Sequence, residues 1–529
     1  MQKIENTVFL QSALAEIPRL LGQLNRNPGS RSFGSFDRAF WHYRTSDLSS
    51  ARYQEALYTL ALLYRHPFEG NYCAGNREML EFIQAALSFT AKLQHRNGSF
   101  DEWYPNECSF VATAFVTAAL SETLLLLPHN EIQDREKVLA MLARSARWLS
   151  KRQDEPVMNQ VAGAALALLN VSILCSEKKY RDAAEAMLSS FLKKESPEGW
   201  WDEYGGPDGG YLSLTIDYLS RYQARSPRKD LGEALSRAEK FLVHFLHPDF
   251  TSGGEYLSRN TSYLIPSGFA RRAHESAPAR LLYSFAAEAL RRNRGITPAG
   301  LDDRYLCYIL SNWLAAGFIP SAEEPVERGL SARRLDVFFK EAGIRVLQNE
   351  HYYFVTNLKK GGSFYLCSSA GNYADAGIEL SDRGVLSSQA ATAHPLNDHA
   401  SSGALGRIQE PLLTTPRMVI FKAYQWLLGG VLPLSGMIKK GLRKRLITGK
   451  SSGIPFERTF ELKADSVVVT DRVKAAFSRE NLRLGVSASY AFIPSAKFAA
   501  VRGSSRLMPK EEFRSSKNET VITRSFFLR

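Results

Sequence analysis

The sequence predicts two domains of different class, an N-terminal toroid of helical hairpins (α/α) followed by a C-terminal antiparallel β-sandwich. Three observations predict this arrangement. The first 320 or so residues hold long apolar segments of helical length, an acidic turn motif recurs through them, and residues after about 330 alternate apolar and polar side chains. Helices first and strands later indicate segregated domains rather than an α/β fold. We place the domains at residues 1–325 and 326–529.

Long apolar segments at 110–127, 159–174 and 277–292 predict helices. Small and apolar residues lie on more than one face of these segments, which indicates helices packed on both sides. In the second domain, residues 333–369 are rich in β-branched and aromatic residues between Gly turns, and residues 458–475 alternate. Both patterns predict antiparallel strands.

A Gly-rich turn that carries an acid and then an aromatic residue recurs about every fifty residues. The acids are Glu102, Glu155, Glu203 and Glu255, and Asp302 continues the series. This interval fits one helical hairpin per repeat, because a single hairpin cannot bury its own apolar face and must stack on neighbours. We expect the turns to gather at one end of the stack and line one cleft. Chance recurrence of common turn chemistry is the alternative.

Bulk properties are those of a globular protein, with 44% hydrophobic and 23% charged residues. The five cysteines form no C-x-x-C pair, which argues against a disulfide framework and a structural zinc site. The first residues lack the basic start and apolar run of a secretory signal, so the expected compartment is the cytoplasm. We find no uncharged apolar run of about 18 residues and expect no membrane-spanning helix.

Residues 417–450 form a predicted basic insertion in the sandwich. Between positions 411 and 450 there are eight Lys and Arg residues and no acid, against a net charge of +13 for the chain. An apolar piece directly precedes the cationic cluster at 439–445. This pattern predicts peripheral docking on an anionic membrane, on the cytoplasmic face of the inner membrane. A rim that holds an anionic glycan and a solvated insertion are the alternatives, and we expect no nucleic-acid partner.

Two local patterns in the helical part carry a family resemblance. Asn159-Gln160 opens an apolar helix, and residues 208–222 read DGGYLSLTIDYLSRY. Together with the predicted architecture, these patterns resemble the heparinase II/III-like polysaccharide lyases. The resemblance covers most of the chain as architecture and about thirty residues as motif. It implies that Tyr218 is the proton donor, and in many members the base as well.

The same resemblance identifies departures from the family pattern. Asn159-Gln160 stands where the family has Asn–His, and Leu219 stands where a His follows the tyrosine. The sandwich offers His394 and His399, neither in a family motif. These departures leave open a protein that kept the fold and lost catalysis.

A lyase acting on a uronate must remove a proton beside a carboxylate and protonate the glycosidic oxygen. Hydrogen-bond donors on that carboxylate stabilise the enolate-like transition state. We predict that Asn159 and Gln160 supply neutral donors, that Arg259 supplies a charged bidentate one, and that Tyr218 moves the proton if a nearby cation lowers its pKa. Alternatively, Asn159 caps its helix.

Helical spacing places Tyr211, Thr215, Tyr218 and Tyr222 on one face, which either meets the cleft or forms a core stripe. The polar loop 252–269 is a predicted sugar-binding surface. Aromatic residues of the turns either stack on sugar rings or pack as hinges, and their acids would suit a glycoside hydrolase. The predicted substrate-binding residues are Tyr211, Asn260, Tyr263, Trp103, Glu107, Trp201, Glu203 and His399.

The leading prediction is a polysaccharide lyase-like enzyme that cleaves a uronic-acid-containing glycan by β-elimination. The alternatives are a toroidal glycoside hydrolase that uses the loop acids, and a non-catalytic glycan-binding protein of surface-polysaccharide biosynthesis. Phosphate-binding, dinucleotide and metalloprotease motifs do not occur in the sequence. We predict no cofactor and no metal at the cleft, and we leave a structural metal in the sandwich open.

Overall fold

The computed structural model describes residues 7–152, 157–320, 326, 334–381, 385–408, 414–428, 450–484 and 507–528. It confirms the predicted α/α toroid followed by an antiparallel sandwich. The last helix of the toroid ends at Phe318 and the first strand begins at Leu335, one on each side of the predicted boundary at 325/326. Glu155, and residues 429–449 of the predicted basic insertion, lie outside the described residues.

Six helices form a closed inner ring, in which each helix contacts the next and the last contacts the first. The inner helices are α4 (Ala56–Arg65), α6 (Phe110–Leu126), α8 (Met158–Cys175), α10 (Gly209–Arg225), α12 (Pro266–Arg272) and α14 (Asp303–Phe318). The outer helices are α1 (Thr7–Leu14), α5 (Arg77–Leu93), α7 (Arg135–Leu149), α9 (Lys178–Leu192), α11 (Lys229–Val243) and α13 (Ala277–Arg291). Two short helices, α2 (Ile17–Gln23) and α3 (Arg38–Trp41), lie between α1 and the first hairpin.

The inner helices are buried on most sides because the ring covers one flank and the outer layer covers the other. Helix α8 is an uncharged run of 18 residues, contrary to the expectation that no such run exists. By length and composition it could cross a membrane, but 83% of it is buried inside the protein. Gly163 is required where α8 passes α6, since a Cβ there would lie 2.5 Å from the Phe115 ring.

Those recurring acidic turns that the structure describes precede inner helices, as the repeat predicted. Glu102 lies before α6, Glu203 before α10 and Glu255 before α12, and Asp302 caps α14 by accepting the Tyr305 amide at 2.7 Å. The amino ends of the inner helices therefore gather at one end of the toroid. Helix amino ends carry partial positive charge, so this end favours an anionic ligand.

The C-terminal domain contains two antiparallel sheets. The five-stranded sheet has the order β1 (Leu335–Phe339), β2 (Ile344–Gln348), β3 (Tyr352–Asn357), β4 (Ser363–Ser368) and β5 (Gly371–Asp375). The strands of the eight-stranded sheet are β6 (Ile378–Ser381), β7 (Val385–Asn397), β8 (Ala400–Ile408), β9 (Lys450–Leu462), β10 (Ser466–Val473), β11 (Leu482–Leu484), β12 (Lys510–Ser515) and β13 (Thr520–Phe527). Their order in the sheet is β11-β6-β7-β8-β9-β10-β13-β12.

The five-stranded sheet lies between the toroid and the second sheet, because successive side chains of a strand point to opposite faces. Phe354 and Phe364 pack on Phe460 of the eight-stranded sheet. Their neighbours face the other way, and the hydroxyls of Tyr353 and Tyr365 donate to His244 O and Asp249 Oδ2 of the toroid, each at 2.8 Å. Both faces of this sheet are thus covered, which fixes the sandwich against the toroid.

Helix α15 (Thr415–Leu428) lies between β8 and β9, at the start of the predicted basic insertion. Its Lys422 donates to Asp47 of the toroid at 2.6 Å. Met418, Val419 and Ile420 are exposed on it, Ile420 to 68%.

Candidate active site

A cleft lies at the amino ends of the inner helices, between the turns that precede them. Its half-buried or exposed side chains come from five of these turns and helix starts. They are Arg52, Trp103, Tyr211, Arg259, Arg304 and Tyr305. The sequence predicted three of the six, namely Trp103, Tyr211 and Arg259.

One side of the cleft, which we call the carboxylate side, consists of Arg52, Glu55, Glu102, Arg304 and Tyr308. Arg52 donates to both oxygens of Glu55 at 2.6 and 3.3 Å, and its guanidinium lies 3.9 Å from the centre of the Tyr308 ring. Arg304 donates to Glu102 and to the Tyr308 hydroxyl, each at 2.6 Å. Each arginine on this side thus has a carboxylate partner, and a tyrosine ring lies between the two guanidinium groups.

Tyr218 lies deeper in the toroid, two helical turns beyond Tyr211 on α10. It lines a small cavity of about 20 Å³ together with Glu55, Phe115, Arg221 and Tyr308. Burial raises the pKa of Tyr218 well above its ordinary value, and Glu55 adds to the effect while Arg52 and Arg221 oppose it. The sequence made proton transfer by Tyr218 depend on a nearby cation that lowers this pKa, and that condition is not met because burial outweighs the two arginines. Tyr218 therefore keeps its proton at neutral pH.

Glu55 is the group in this cavity that changes charge near neutrality. Burial raises its pKa to about 7, against the lowering effect of Arg52, and the nearby Glu102 raises it further. A carboxyl with a pKa near the working pH is suited to proton transfer. Glu55 and the protonated Tyr218 hence form an acid–base pair facing one cavity, with pKa values set far apart by their surroundings.

The other side of the cleft, which we call the arginine side, consists of Tyr204, Tyr211 and Arg259. The Arg259 guanidinium stacks 4.6 Å from the centre of the Tyr204 ring and hydrogen-bonds Tyr211. Its Nε is buried without a hydrogen-bond partner, and within the described residues the side chain makes no ion pair with a carboxylate. This arginine is free to take an anionic ligand.

Tyr305 connects the two sides. Its ring lies 5.8 Å from Tyr308 and 6.3 Å from Tyr263, centre to centre. Burial raises its pKa to about 12, opposed by Arg52, Arg304 and Arg259 in that order. All three guanidinium groups are therefore close enough to Tyr305 to act on one ligand.

Asn159 lies at the start of α8 but is not its cap, since Val157 holds the N-cap position. The Asn159 amide N–H and Nδ2 donate to the two oxygens of Glu203 at 2.6 and 2.9 Å. Glu203 is thus a buried carboxylate that caps α8 from a neighbouring turn, and the prediction that it binds substrate is wrong. One Nδ2 hydrogen of Asn159 is committed to Glu203, and Gln160 follows in the first turn at 8% exposure.

Four other predicted substrate-binding residues have structural roles. Trp201 is 2% exposed, stacks on Phe191 and donates to its carbonyl, which places it in the core. Glu107 accepts the amides of residues 102 and 103 and so shapes its own turn. Asn260 is fully buried and accepts from Lys360 of the sandwich, and Tyr263 is buried beneath Tyr305.

Tyr222 and His399 lie away from the cleft. Tyr222 is completely buried, and its hydroxyl has no partner, so the predicted tyrosine face of α10 meets the cleft only at its first two tyrosines. His399 lies in the turn between β7 and β8, where Arg345 donates to its ring at 2.9 Å and Asp398 lies 3.6 Å away. Those partners belong to the sandwich, and the role of His399 in substrate binding stays a prediction.

No motif or spacing in the sequence selected Arg52, Glu55, Arg304 or Tyr308. Arg52 and Glu55 belong to a short 3₁₀ turn (Ala51–Glu55) before α4, which carries neither the Gly-rich turn nor a family motif. The spacing Arg304 to Tyr308 is a helical i, i+4 pair and could have marked a shared face.

Solved structures of polysaccharide lyases superpose on this chain. Xanthan lyase from Paenibacillus superposes with a TM-score of 0.51 at 10% sequence identity, over 100% of this chain and 56% of its own length. Chondroitin AC lyase from Streptomyces coelicolor A3, solved in complex with chondroitin sulphate, gives 0.51 at 11% identity over 99% and 77%. Heparinase III gives 0.48 at 11% identity over 99% and 85%. The chain thus spans little more than half the length of the xanthan lyase.

No protein-family model matches the sequence, and no curated protein does. The structural likeness confirms the predicted architecture, a helical toroid joined to a β-sandwich as in heparinase II/III-like polysaccharide lyases. At these identities the likeness concerns the fold.

Proposed function

We propose that the protein cleaves a uronic-acid-containing polysaccharide by β-elimination in the cleft. The observation that carries this proposal is Arg259, a largely buried arginine without a carboxylate partner among the described residues, held between two tyrosines. A buried cation with an unpartnered nitrogen has a strong preference for a ligand carboxylate, because a charge-assisted bidentate contact satisfies both charge and donors. The partial positive charge at the amino ends of the six inner helices favours the same ligand carboxylate.

The acid–base pair on the carboxylate side supplies the proton transfers. Ionised Glu55 takes the proton from the carbon beside the uronate carboxylate, and the electron pair forms a carbon–carbon double bond. The glycosidic carbon–oxygen bond breaks, and the Tyr218 hydroxyl donates its proton to the leaving oxygen. Solvent then returns the proton from Glu55 to Tyr218. Charge that develops on the uronate carboxylate is stabilised by Arg259 and by the free amide hydrogen of Asn159.

Trp103 supports sugar binding at the rim. It is 62% exposed, and the Arg304 guanidinium lies 3.9 Å from its ring centre, which holds the ring in place. The faces of pyranose rings pack on such aromatic surfaces.

The test is the ultraviolet absorbance of the unsaturated product during incubation with uronate and neutral polysaccharides. We expect absorbance to rise with at least one uronate polysaccharide and with none of the neutral ones. A neutral glycan that is cleaved as fast as a uronate one would contradict the proposal, because Arg259 would then have no role in substrate choice.

A glycoside hydrolase is the second candidate, and Glu55 with Glu102 favours it. Both carboxyls face the carboxylate side, and their environments differ, as a hydrolase acid and base require. The loop acids predicted for this role do not serve it, since Glu107 and Glu203 are engaged with backbone amides. New reducing ends without ultraviolet absorbance would identify hydrolysis, and glycan binding without turnover would identify a non-catalytic protein.

We also propose peripheral contact with an anionic membrane on its cytoplasmic face through residues 417–450. The described part of this segment, α15, exposes Met418, Val419 and Ile420 beside Lys422. Apolar side chains next to basic ones suit the surface of an anionic leaflet. Co-sedimentation with anionic but not neutral vesicles is the expected result, and Val419→Ser with Ile420→Ser should reduce it. Equal binding to both vesicle types, or to neither, would contradict the contact.

A further inference from the structure

The turn before α6 brings together three side chains that bind metals and that neither the proposed cleavage nor the sequence motifs use. His95 Nε2, a carboxylate oxygen of Asp101 and Cys108 Sγ all lie within 4.8 Å of one another. The sequence predicted no metal site, because these residues lie six and seven positions apart and match no ligand motif. The fold of the turn brings the three side chains close together in space.

The turn holds this group firmly. Phe100 and Ser109 pair as an isolated β-bridge, and the Asp101 oxygens accept the amides of Asn106 and Cys108, each at 2.8 Å. Gly98 presses against helix α7 so closely that a Cβ would lie 2.2 Å from the Arg144 carbonyl. Hydrogen bonds of this kind orient ligand carboxylates in metal sites.

The histidine nitrogen that faces the group lies against the Asp101 carboxylate. His95 Nε2 is 2.9 Å from Asp101 Oδ2, so the imidazole and the carboxylate already form a close pair. Asn97 Nδ2 donates a hydrogen bond to Cys108 Sγ at 3.6 Å, which positions the sulfur beside the other two side chains.

We propose that His95, Asp101 and Cys108 bind one Zn²⁺ ion. One nitrogen, one oxygen and one sulfur ligand suit this borderline-soft ion and do not suit Ca²⁺ or Mg²⁺, which take oxygen ligands. Tetrahedral zinc with bonds of about 2.0 to 2.3 Å needs ligand atoms roughly 3.3 to 3.8 Å apart, so atoms as far as 4.8 Å apart must move about 1 to 1.5 Å closer when the ion binds. Water completes the coordination, because the three residues are only half-buried.

The site would fix the carboxylate side of the cleft. The Asp101 carbonyl accepts the amide of Ala51, directly before Arg52, at 3.0 Å. Glu102, the next residue, pairs with Arg304. Zinc on Asp101 therefore holds the turns that present Arg52 and Glu102 at one separation.

The test uses the full chain, first treated with a chelator and then titrated with zinc or with cobalt. We expect one zinc per chain and, with cobalt, a thiolate-to-metal charge-transfer band. Cys108→Ser should abolish the band, and both Cys108→Ser and His95→Gln should weaken zinc binding about tenfold or more. Cys175→Ser is the matched control, because Cys175 is likewise a half-buried free thiol but lies outside the group.

The outcomes are distinct. Binding that falls in both ligand variants and not in Cys175→Ser supports the site, provided that the metal-free variants unfold at the wild-type temperature. A variant that unfolds earlier is replaced by Asp101→Asn as the third ligand test. No cobalt band in the wild type, or a band of equal strength in Cys108→Ser, overturns the proposal and leaves His95 and Asp101 as an ordinary ion pair.

Discussion

Both sides of the cleft contain arginine and tyrosine side chains, but only one side has carboxylates to match the arginine charges. On the carboxylate side, Arg52 and Arg304 contact Glu55 and Glu102 at 2.6 Å, so the charges cancel locally. On the arginine side, Arg259 contacts only tyrosines through its side chain within the described residues. Matched charges stabilise a fold and tune pKa values, whereas an unmatched buried charge costs stability unless a ligand supplies its partner.

This difference assigns the two sides different tasks. The arginine side is built to hold an anion, and the carboxylate side is built to move protons. Tyr305 lies between the two sides, and Arg52, Arg304 and Arg259 each lower its pKa. A sugar unit bound against Tyr305 therefore reaches both sides.

The largest effect is expected for Tyr218→Phe, which removes the proton donor. Turnover should fall about 10²- to 10⁴-fold, because that is the usual contribution of a positioned acid or base. Tyr222→Phe on the same helix is the control, since its hydroxyl is buried without a partner and its removal should leave turnover unchanged. Equal losses in the two variants would mean that α10 matters only for folding.

The next effect is expected for Arg259→Ala. Losing the cation that holds the uronate should lower kcat/KM about 10²- to 10³-fold. Arg259→Lys should recover only part of it, because an ammonium group lacks the bidentate geometry. Arg237→Ala, which breaks a surface pair with Glu195, should change little. If Arg259→Ala bound glycan as tightly as the wild type, the anion would lie elsewhere.

The pH dependence of stability should distinguish Glu55 from ordinary paired acids. Its pKa is raised to about 7, so the native protein binds this proton more tightly than the unfolded chain does. Its contribution is present below about pH 4.5 and is lost as the pH rises to about 7. Glu55→Gln should remove this decline in the free energy of unfolding.

Glu122→Gln is the control of opposite sign for Glu55. Burial opposes ionisation of Glu122, but Arg225 and Arg221 lower its pKa to about 2. Its contribution is therefore present above about pH 4.5 and is lost as the pH falls to about 2, so the variant should lose stability at neutral pH instead. Stability profiles of the same shape in both variants would contradict the assignment of Glu55.

The smallest effect is expected for Trp103→Ala at the rim. An exposed aromatic contact contributes about 1 kcal/mol, so KM should rise by roughly fivefold with kcat unchanged. A drop in kcat would instead indicate that the ring positions Arg304, whose guanidinium stacks on it.

Architecture could be predicted from the sequence because hairpin repeats leave a periodic signal. The acids at 102, 203, 255 and 302 all precede inner helices, and the strand patterns at 333–369 and 458–475 fall in β1–β4 and β9–β10. The site could be predicted only where a motif marked it, as at Tyr218, or where a polar loop stood out, as at Arg259.

The remaining site residues could not be predicted, for two physical reasons. Glu55 and Tyr218 are far apart in sequence and meet only because the inner ring closes α14 onto α4. Turn acids were misassigned because a carboxylate that caps a helix from a neighbouring turn, like Glu203, has the same sequence pattern as one that faces a ligand. No sequence pattern predicted the group of His95, Asp101 and Cys108, because these residues have no regular spacing and are brought together by a turn.

The most direct test of the central claim is product analysis by mass spectrometry after cleavage of a uronate polysaccharide in heavy-oxygen water. Elimination breaks the glycosidic bond without adding water. We predict fragments whose new non-reducing end is lighter by one water and carries no label, formed by the wild type and not by Tyr218→Phe. Saturated fragments with heavy oxygen at the new reducing end would contradict the account and identify the cleft as a hydrolase site.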